Sequence, residues 1–235
     1  NSDTEVVLAA YKYWGESCVN RFNGMWAFGI YDKLQKKIFL SRDRYGIKPL
    51  YYYLKDDFLI FSSEIKAILK LDFLEYPQPN LSTIYGYMYY NTGMESTQTW
   101  FKDIFRLEPG HNISYHKGEI IKTKYYAHNS NKKLISNVVK SFKKLLNSSI
   151  QIRLRSDVEV ASTLSSGLDS SVISIIAKQN LNKLKTFTAF SPSESYSENE
   201  SKLYNNDSSV LDESIVVKRS YSDYKLDHKF IKIDY

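Results

Sequence analysis

The stretch Val158-Glu159-Val160-Ala161-Ser162-Thr163-Leu164-Ser165-Ser166-Gly167-Leu168-Asp169-Ser170-Ser171-Val172 decides the fold of the second half of the chain. Residues 158–164 suit a β-strand, and residues 165–171 predict a small polar loop. A helix is predicted at 172–178 and a second strand at 186–190. A strand, a helix and a strand in this order form a βαβ unit, which implies a parallel sheet with ligands at the carboxyl ends of its strands.

The predicted loop carries the residue types that hold a phosphate. Small residues let the backbone approach a phosphate closely, and amide groups at the start of a helix point towards it. Ser165, Ser170 and Ser171 can add hydroxyl donors, and Asp169 could hold a Mg²⁺ ion that bridges phosphate oxygens. In the alternative, purely structural interpretation, these residues only cap the helix. The spacing S-x-G-x-D-S behind a strand resembles the pyrophosphate-binding loop of the N-type ATP pyrophosphatases, and this favours nucleotide binding.

The first half of the chain has the pattern of an antiparallel α+β region. Ser2 and Glu5 have the spacing of a capping box, which predicts a first helix that ends at Gly15. Strand pairs are predicted at 25–31 with 37–41 and at 51–54 with 58–62, followed by helical spacing at 64–70.

The polar stretch at 128–133 is the predicted domain boundary, which gives domains at 1–127 and 133–235. Beyond it, the pattern predicts an amphipathic helix at 135–150, a surface excursion at 191–209, a helix at 211–219 and a third strand at 230–233. A sheet that ended there would leave its edges open, so the chain is expected to be truncated.

Composition limits the class of protein. The 235 residues include 43% hydrophobic and 25% charged residues, and the chain has no apolar run long enough to cross a membrane. No signal peptide is visible, and the single cysteine, Cys18, excludes an internal disulfide framework, so a reducing cytoplasm is expected. The net charge is +6, but the lysines are scattered, which argues against nucleic-acid binding.

Several stretches together resemble the glutamine-dependent asparagine synthetases. Those that look like class II glutamine amidotransferase signatures are RFNGMWAF at 21–28, SRDRYGIKPLYY at 41–52 and SEIKA at 63–67, and IFRLEPGH at 104–111 resembles the segment that closes this domain. TFTAF at 186–190 and DES at 212–214 resemble later synthetase segments. The resemblance implies part of an antiparallel, layered domain of the N-terminal-nucleophile type, followed by part of a parallel-sheet α/β ATP pyrophosphatase domain.

The resemblance also implies a reaction and a set of site residues. In this family, ATP and Mg²⁺ convert aspartate to β-aspartyl-AMP, and ammonia from glutamine displaces AMP. Asp3 would bind the α-ammonium group of glutamine; its alternative role is that of a first-turn acid that stabilises the helix dipole. The implied ATP-binding residues are Thr163, Ser165, Ser166, Gly167, Asp169, Ser170, Ser171 and Ala189, with Asp169 also on the metal. Members of the family often form dimers, so a homodimer would fit.

Some features depart from the family. Its catalytic nucleophile is an N-terminal cysteine, and none is present, so we expect no glutaminase activity and read Cys18 as a packed thiol. Ser166 replaces the first of two usual glycines, which would cost about 1 kcal/mol or more in stability or affinity if that position needed a positive φ or a close approach of phosphate. Arg42 and Asp43 are expected to form an ion pair that supports the sheet.

Three rival interpretations stay open from sequence alone. The first is a related amidotransferase that acts on another carboxylate, such as a sugar acid or a β-lactam precursor. The second is a catalytically dead fragment that binds ATP or serves as an interaction partner. The third, less favoured, is an enzyme that activates tRNA bases or citrulline through the same loop.

Overall fold

A computed structural model describes residues 2–55, 58–72, 78–91, 97–128, 137–190, 217–218 and 224–232. It divides into two compact units, Asn1–Asn131 and Lys132–Tyr235. In chain order, the first unit contains α1 Asp3–Trp14, a 3₁₀ helix Gly15–Arg21, β1 Ala27–Asp32, β2 Lys37–Arg42, β3 Tyr51–Lys55, β4 Phe58–Ser62, α2 Ile65–Leu69, α3 Leu81–Tyr90, β5 Ile104–Arg106, β6 His111–His116 and β7 Glu119–Lys124.

The first unit is built on two antiparallel sheets. One has the strand order β1-β2-β6-β7 and the other the order β4-β3-β5. The predicted strand pairs and the helix at 64–70 are confirmed, with ends shifted by at most two residues. The predicted start of α1 is also confirmed, because the Ser2 hydroxyl accepts a hydrogen bond from the Glu5 amide and Gly15 ends the helix.

Alternating side chains of β2 face two different layers of this unit. Phe39 packs with Ala10 of α1 and with Cys18, whereas Leu40 packs with Leu50 and Tyr52. Neighbouring side chains on a strand point to opposite faces, so the four-stranded sheet separates a helical layer from a second sheet.

An aromatic group closes the helical side of the first core. The Trp26 indole donates to the Ser41 hydroxyl at 3.0 Å and stacks on Tyr125, with ring centroids 6.2 Å apart. Tyr125 in turn donates from its hydroxyl to the Arg42 carbonyl at 2.8 Å. Burial raises the pKa of Tyr125, so this hydroxyl keeps its proton and stays a donor at neutral pH.

The second unit has a parallel sheet. Its elements are α4 Val138–Arg153, β8 Ala161–Thr163, α5 Leu168–Asn180, β9 Lys185–Phe190 and β10 Asp227–Lys232, and its strand order is β10-β9-β8. Both neighbours of β9 run parallel to it, so the predicted βαβ order is observed. Ile150 of α4 packs on Ile176 and Ala177 of α5, which places the core between the helices and the sheet.

Several predicted boundaries in this unit are wrong, among them the start of the third strand, which begins at Asp227 and not at residue 230. The first strand spans three residues instead of 158–164, and Val158 is 77% exposed. β8 lies at the edge of the described sheet, where only β9 pairs with it and little holds a longer strand in place. The helix begins at Leu168 and not at residue 172, so the predicted loop is shorter.

Several predictions fall outside the described residues. These are the surface excursion at 191–209, most of the helix predicted at 211–219, the last residue of the strand predicted at 230–233, and most of the polar boundary stretch. The limits of the two domains therefore stay a prediction. Across the part of the chain that the structure describes, no helix is both long and apolar enough to cross a membrane.

Candidate functional site: the loop between β8 and α5

The loop between β8 and α5 presents the start of a helix at the carboxyl end of a parallel strand. Gly167 is the N-cap residue of α5, with φ −71° and ψ 149°, and it has no side chain with which to cap the helix. Asp169, Ser170 and Ser171 therefore lie in the first turn of α5. The amide groups of this turn carry the positive end of the helix dipole, which is where an anion binds.

Hydroxyl groups fix the shape of this loop. The Ser165 and Ser170 hydroxyl oxygens are 2.8 Å apart, and the Ser170 hydroxyl accepts a hydrogen bond from the Ser165 amide at 3.1 Å. The Ser165 hydroxyl accepts from the Gly167 amide at 3.2 Å, and the Ser171 hydroxyl donates to the Gly167 carbonyl at 2.9 Å. The serines thus hold one another and the backbone in a compact turn. Their hydroxyl groups can exchange these internal contacts for phosphate oxygens.

The structure bears on one of the two conditions under which Ser166 was predicted to be costly, a positive φ at that position. The left-handed residues of the described chain are Lys36, Asn91, Asp103, Lys117, Asn137 and Lys225, with four glycines elsewhere. Ser166 and Gly167 are not among them, so a side chain at 166 causes no backbone strain here. The space around Gly167 is tighter, because an added Cβ would lie 3.2 Å from the Ser165 hydroxyl oxygen.

Asp169 is exposed in the first turn of α5 and is next to Ser170 in the sequence. Within the described residues, no group of three or more His, Cys, Asp or Glu side chains could hold a metal ion. One exposed carboxylate next to hydroxyls fits a Mg²⁺ ion that takes most of its ligands from phosphates and water, which is how Mg²⁺ is commonly bound. The donor set therefore fits ATP with Mg²⁺ and does not fit a metal bound by protein ligands alone.

Thr163 and Ala189 lie on neighbouring parallel strands. Thr163 ends β8 and pairs with Phe187, and Ala189 lies two residues further along β9. Both residues are exposed. The Leu164 amide donates to the Phe187 carbonyl at 2.8 Å, and the Thr188 hydroxyl donates back to the Leu164 carbonyl at 2.5 Å. These hydrogen bonds hold the carboxyl ends of β8 and β9 together, and this is the end of the sheet where a βαβ unit binds ligands.

Asp3 belongs to the first unit and is the first residue of α1. It is exposed, and its carboxylate accepts the Thr4 amide at 2.9 Å. This contact fits a first-turn acid that stabilises the helix. The carboxylate is also accessible to an ammonium group, so its role in glutamine binding stays a prediction.

The conspicuous Arg42-Asp43 pair is not the ion pair that we expected. The Asp43 carboxylate accepts three amides, those of Tyr45, Ile47 and Lys48, at 2.9–3.1 Å. Arg42 donates to main-chain carbonyls, and the described residues show no salt bridge between the two side chains. Adjacent residues at a strand end point in different directions, so each side chain clamps its own part of the backbone.

Cys18 is a buried free thiol, as predicted. It is 0% exposed, and burial raises its pKa, so the nucleophilic thiolate is disfavoured. The side chain packs with Val19 and Ile30 in the first core.

Sequence reasoning missed one pocket in the first unit. It has a volume of about 270 Å³ and is lined by Arg42, Tyr45, Gly46, Thr97, Arg106, Glu108 and Pro109. Its lining comes from three separate stretches of the chain, so no local motif could have revealed it. The only signal in the sequence is that two of these stretches each carry a basic residue before a turn.

Two family models match the chain in succession. The model described as "Glutamine amidotransferase domain" covers residues 1–126, which is more than half of the chain, and the model described as "Asparagine synthase" covers residues 141–233. The matched ranges fall in the antiparallel and the parallel unit, respectively.

Individual relatives agree with these matches. The chain is 40% identical over 194 residues to a putative asparagine synthetase [glutamine-hydrolyzing] 2 of Methanocaldococcus jannaschii, which covers 80% of the chain and 38% of that protein. It is 35% identical over 188 residues to asparagine synthetase [glutamine-hydrolyzing] 3 of Bacillus subtilis, over 77% of the chain and 30% of that protein. It is also 31% identical to amidase chry2 of Gibberella zeae, over 100% of the chain and 35% of that protein.

The chain thus spans 30–38% of the length of these relatives. Both family models are matched in the same order, and the aligned segments cover most of this chain. The chain therefore belongs to the glutamine amidotransferase family, among the members that join this domain to an asparagine synthase domain.

Proposed function

We propose that this chain acts in glutamine-dependent asparagine synthesis. In this reaction ATP converts the side-chain carboxylate of aspartate to β-aspartyl-AMP, and ammonia released from glutamine displaces AMP. The observation that carries the proposal is the uncapped, serine-lined start of α5 at the carboxyl end of β8, within the range that matches the asparagine synthase model. The two predicted domains, 1–127 and 133–235, would contribute part of the glutamine site and part of the ATP site.

Each predicted residue has a role that its position supports. The first-turn amides of α5 and the hydroxyls of Ser165, Ser170 and Ser171 bind the pyrophosphate portion of ATP. Asp169 holds Mg²⁺, which neutralises charge on the phosphates when bound. Ser166 and Gly167 let the backbone approach the phosphates, and Thr163 and Ala189 contact adenine through their main-chain groups.

Binding of Mg-ATP tests this proposal. We expect isothermal titration calorimetry to detect Mg-ATP binding by the purified chain, and we expect Asp169→Ala to weaken it at least about tenfold, since a charge-assisted contact is worth more than 1.4 kcal/mol. Asp3→Ala is the matched control, because it removes the same side chain from the first turn of another helix. It should leave Mg-ATP affinity unchanged.

The control variant also tests the glutamine site. If Asp3 binds the α-ammonium group of glutamine, Asp3→Ala should weaken glutamine binding and Asp169→Ala should not. Equal loss of Mg-ATP binding in both variants would point to a general loss of structure and contradict the assignment of Asp169. No binding of Mg-ATP by the unsubstituted chain would contradict the nucleotide role of this loop.

A second candidate is an ATP-dependent amidotransferase with a different acceptor carboxylate. It is favoured by one observation, the similarity of the whole chain to a protein named as an amidase. The two candidates share the ATP loop and differ in the acid that ATP activates. Exchange of labelled pyrophosphate into ATP that requires aspartate would support asparagine synthesis, and exchange that requires another carboxylic acid would support the second candidate.

A further inference from the structure

Asn23 and Gly24 lie in the short connection between the 3₁₀ helix and β1 of the first unit. Both residues are exposed, and they form the only Asn-Gly dipeptide of the chain. Neither belongs to a helix or a strand. Among the residues that the structure describes, neither takes part in a hydrogen bond, through its side chain or through its main chain. The Asn23 carboxamide and the Gly24 amide nitrogen are therefore both accessible to reaction.

Hydrogen bonds hold the main chain on both sides of this dipeptide. The Phe22 carbonyl accepts from the Arg44 guanidinium at 2.6 Å, and the Trp26 carbonyl accepts from the Asp43 amide at 2.9 Å. A main chain without hydrogen bonds of its own can rotate without breaking any, so its local opening costs little free energy. The dipeptide can therefore change its backbone angles while the rest of the first unit keeps its fold.

Gly24 leaves its own amide nitrogen unhindered. A glycine has no Cβ, so a neighbouring group can approach its main chain closely, and its φ and ψ angles are less restricted than those of other residues. The space around Gly24 is also open, because an added Cβ would meet no atom within 4 Å. A ring that joins the side chain of Asn23 to the Gly24 nitrogen therefore has room to close.

We propose that Asn23 is a site of spontaneous deamidation. The Gly24 amide nitrogen loses its proton to base and attacks Cγ of Asn23, and the side-chain nitrogen leaves as ammonia, which closes a succinimide ring. Water then adds to one of the two ring carbonyls and breaks its bond to the ring nitrogen. Opening at Cγ gives aspartate, and opening at the main-chain carbonyl gives isoaspartate. One water is consumed and one ammonia released, and the stretch RFNGMWAF gains a negative charge.

Asn147 is the matched asparagine that the fold protects. It is exposed, as Asn23 is, and a small residue, Ser148, follows it. It lies inside α4, and its side chain donates from Nδ2 to the Lys143 carbonyl at 2.9 Å. In a helix interior the amide of the following residue donates to a carbonyl four positions earlier, so it is held away from the side chain that it would attack. The two asparagines therefore differ in their main chain and not in their exposure.

Incubation of the purified chain at mildly alkaline pH tests the site. Peptide mapping by mass spectrometry measures the conversion of amide to acid at each asparagine, and chromatography separates the aspartate and isoaspartate products. We expect conversion at Asn23 to give both products and to be at least about tenfold faster than at Asn147. A parallel incubation in urea separates the effect of the fold from that of the dipeptide. There, the rate at Asn147 should rise at least about tenfold, and the rate at Asn23 by less than about fivefold.

Gly24→Ala tests the route through the Gly24 nitrogen. Residue 24 has no positive φ and has space for a methyl group, so this variant should fold as the unsubstituted chain does, which circular dichroism checks. The methyl group hinders ring closure, and we expect conversion at Asn23 to slow at least about tenfold. Unchanged conversion in this variant would show direct attack of water on the side chain and overturn the proposal. Aspartate formed without isoaspartate, or an increase at Asn23 in urea as large as that at Asn147, would also overturn it.

Discussion

The Asp43 carboxylate shows how a single residue organises the turn at 43–48. It is 1% exposed and accepts the amides of Tyr45, Ile47 and Lys48, while Arg42 binds carbonyls of the same turn. In the sequence RDRYGIKP, the first two side chains therefore hold the main chain of the turn in place through hydrogen bonds. Sequence reasoning identified the two residues as structural but paired them with each other, because it could not locate the backbone groups that each one reaches.

Replacement of this carboxylate should be costly. Asp43→Asn removes the negative charge from three part-buried hydrogen bonds and turns an amide group towards main-chain donors. We expect the free energy of unfolding to fall by about 3 kcal/mol. Urea denaturation followed by circular dichroism measures the change.

Asp32→Asn provides the control for this prediction. Asp32 also caps a turn with its carboxylate, by accepting the Leu34 and Gln35 amides at 3.0 Å, but its turn is open to water. Solvent can replace the lost contacts, so we expect a loss of at most about 1 kcal/mol. Equal losses in the two variants would show that burial of the Asp43 clamp contributes nothing.

Among the elements, the turn before α5 was predicted correctly as a turn between a strand and a helix, but the bounds of the strand and the helix were not. The serine and glycine spacing predicted a turn between a strand and a helix, and that turn is observed. The strand was predicted too long because Val158 and Val160 are residues that favour strands. In the described sheet, however, β8 is an edge strand that pairs with β9 alone. The helix start was placed too late, since Ser and Asp favour loops and helix first turns alike.

The Ser170 hydroxyl should hold this element together. It accepts the Ser165 amide, so Ser170→Ala frees that amide, and we expect it to exchange with deuterium faster. Ser171→Ala is the matched change, because the Ser171 hydroxyl only donates to the Gly167 carbonyl in the first turn of the same helix. Exchange at Ser165 should be unaltered there, and faster exchange in both variants would contradict the assigned role of Ser170.

For the whole molecule, hydrophobic period and turn residues were enough to predict an antiparallel first region and a parallel second one. These two patterns did not predict which distant strands pair. β2 lies beside β6, and β3 pairs with β5, across more than fifty residues of chain. Such contacts depend on which apolar faces meet, as Phe39 and Leu40 show by packing into different layers, and a single sequence does not encode that choice locally.

Separate cores lead to a prediction about unfolding. Phe39 and Leu184 are 0% and 2% exposed in the cores of the first and second unit. We expect Phe39→Ala to cost about 3–5 kcal/mol and Leu184→Ala about 2–5 kcal/mol. In differential scanning calorimetry, each variant should lower the melting of its own unit by more than that of the other. If each variant shifted the whole heat-absorption profile equally, the two units would instead unfold as one cooperative unit.

Trp26 of the first core gives this chain an unusual optical property. The other tryptophans, Trp14 and Trp100, also belong to the first unit, and residues 132–235 contain none. Selectively excited indole fluorescence is therefore a built-in reporter of the amidotransferase half alone. The loop before α5 has no such chromophore in its own unit. An unchanged emission spectrum on addition of ATP would therefore be uninformative, whereas a tryptophan placed on α5 would give that half a signal of its own.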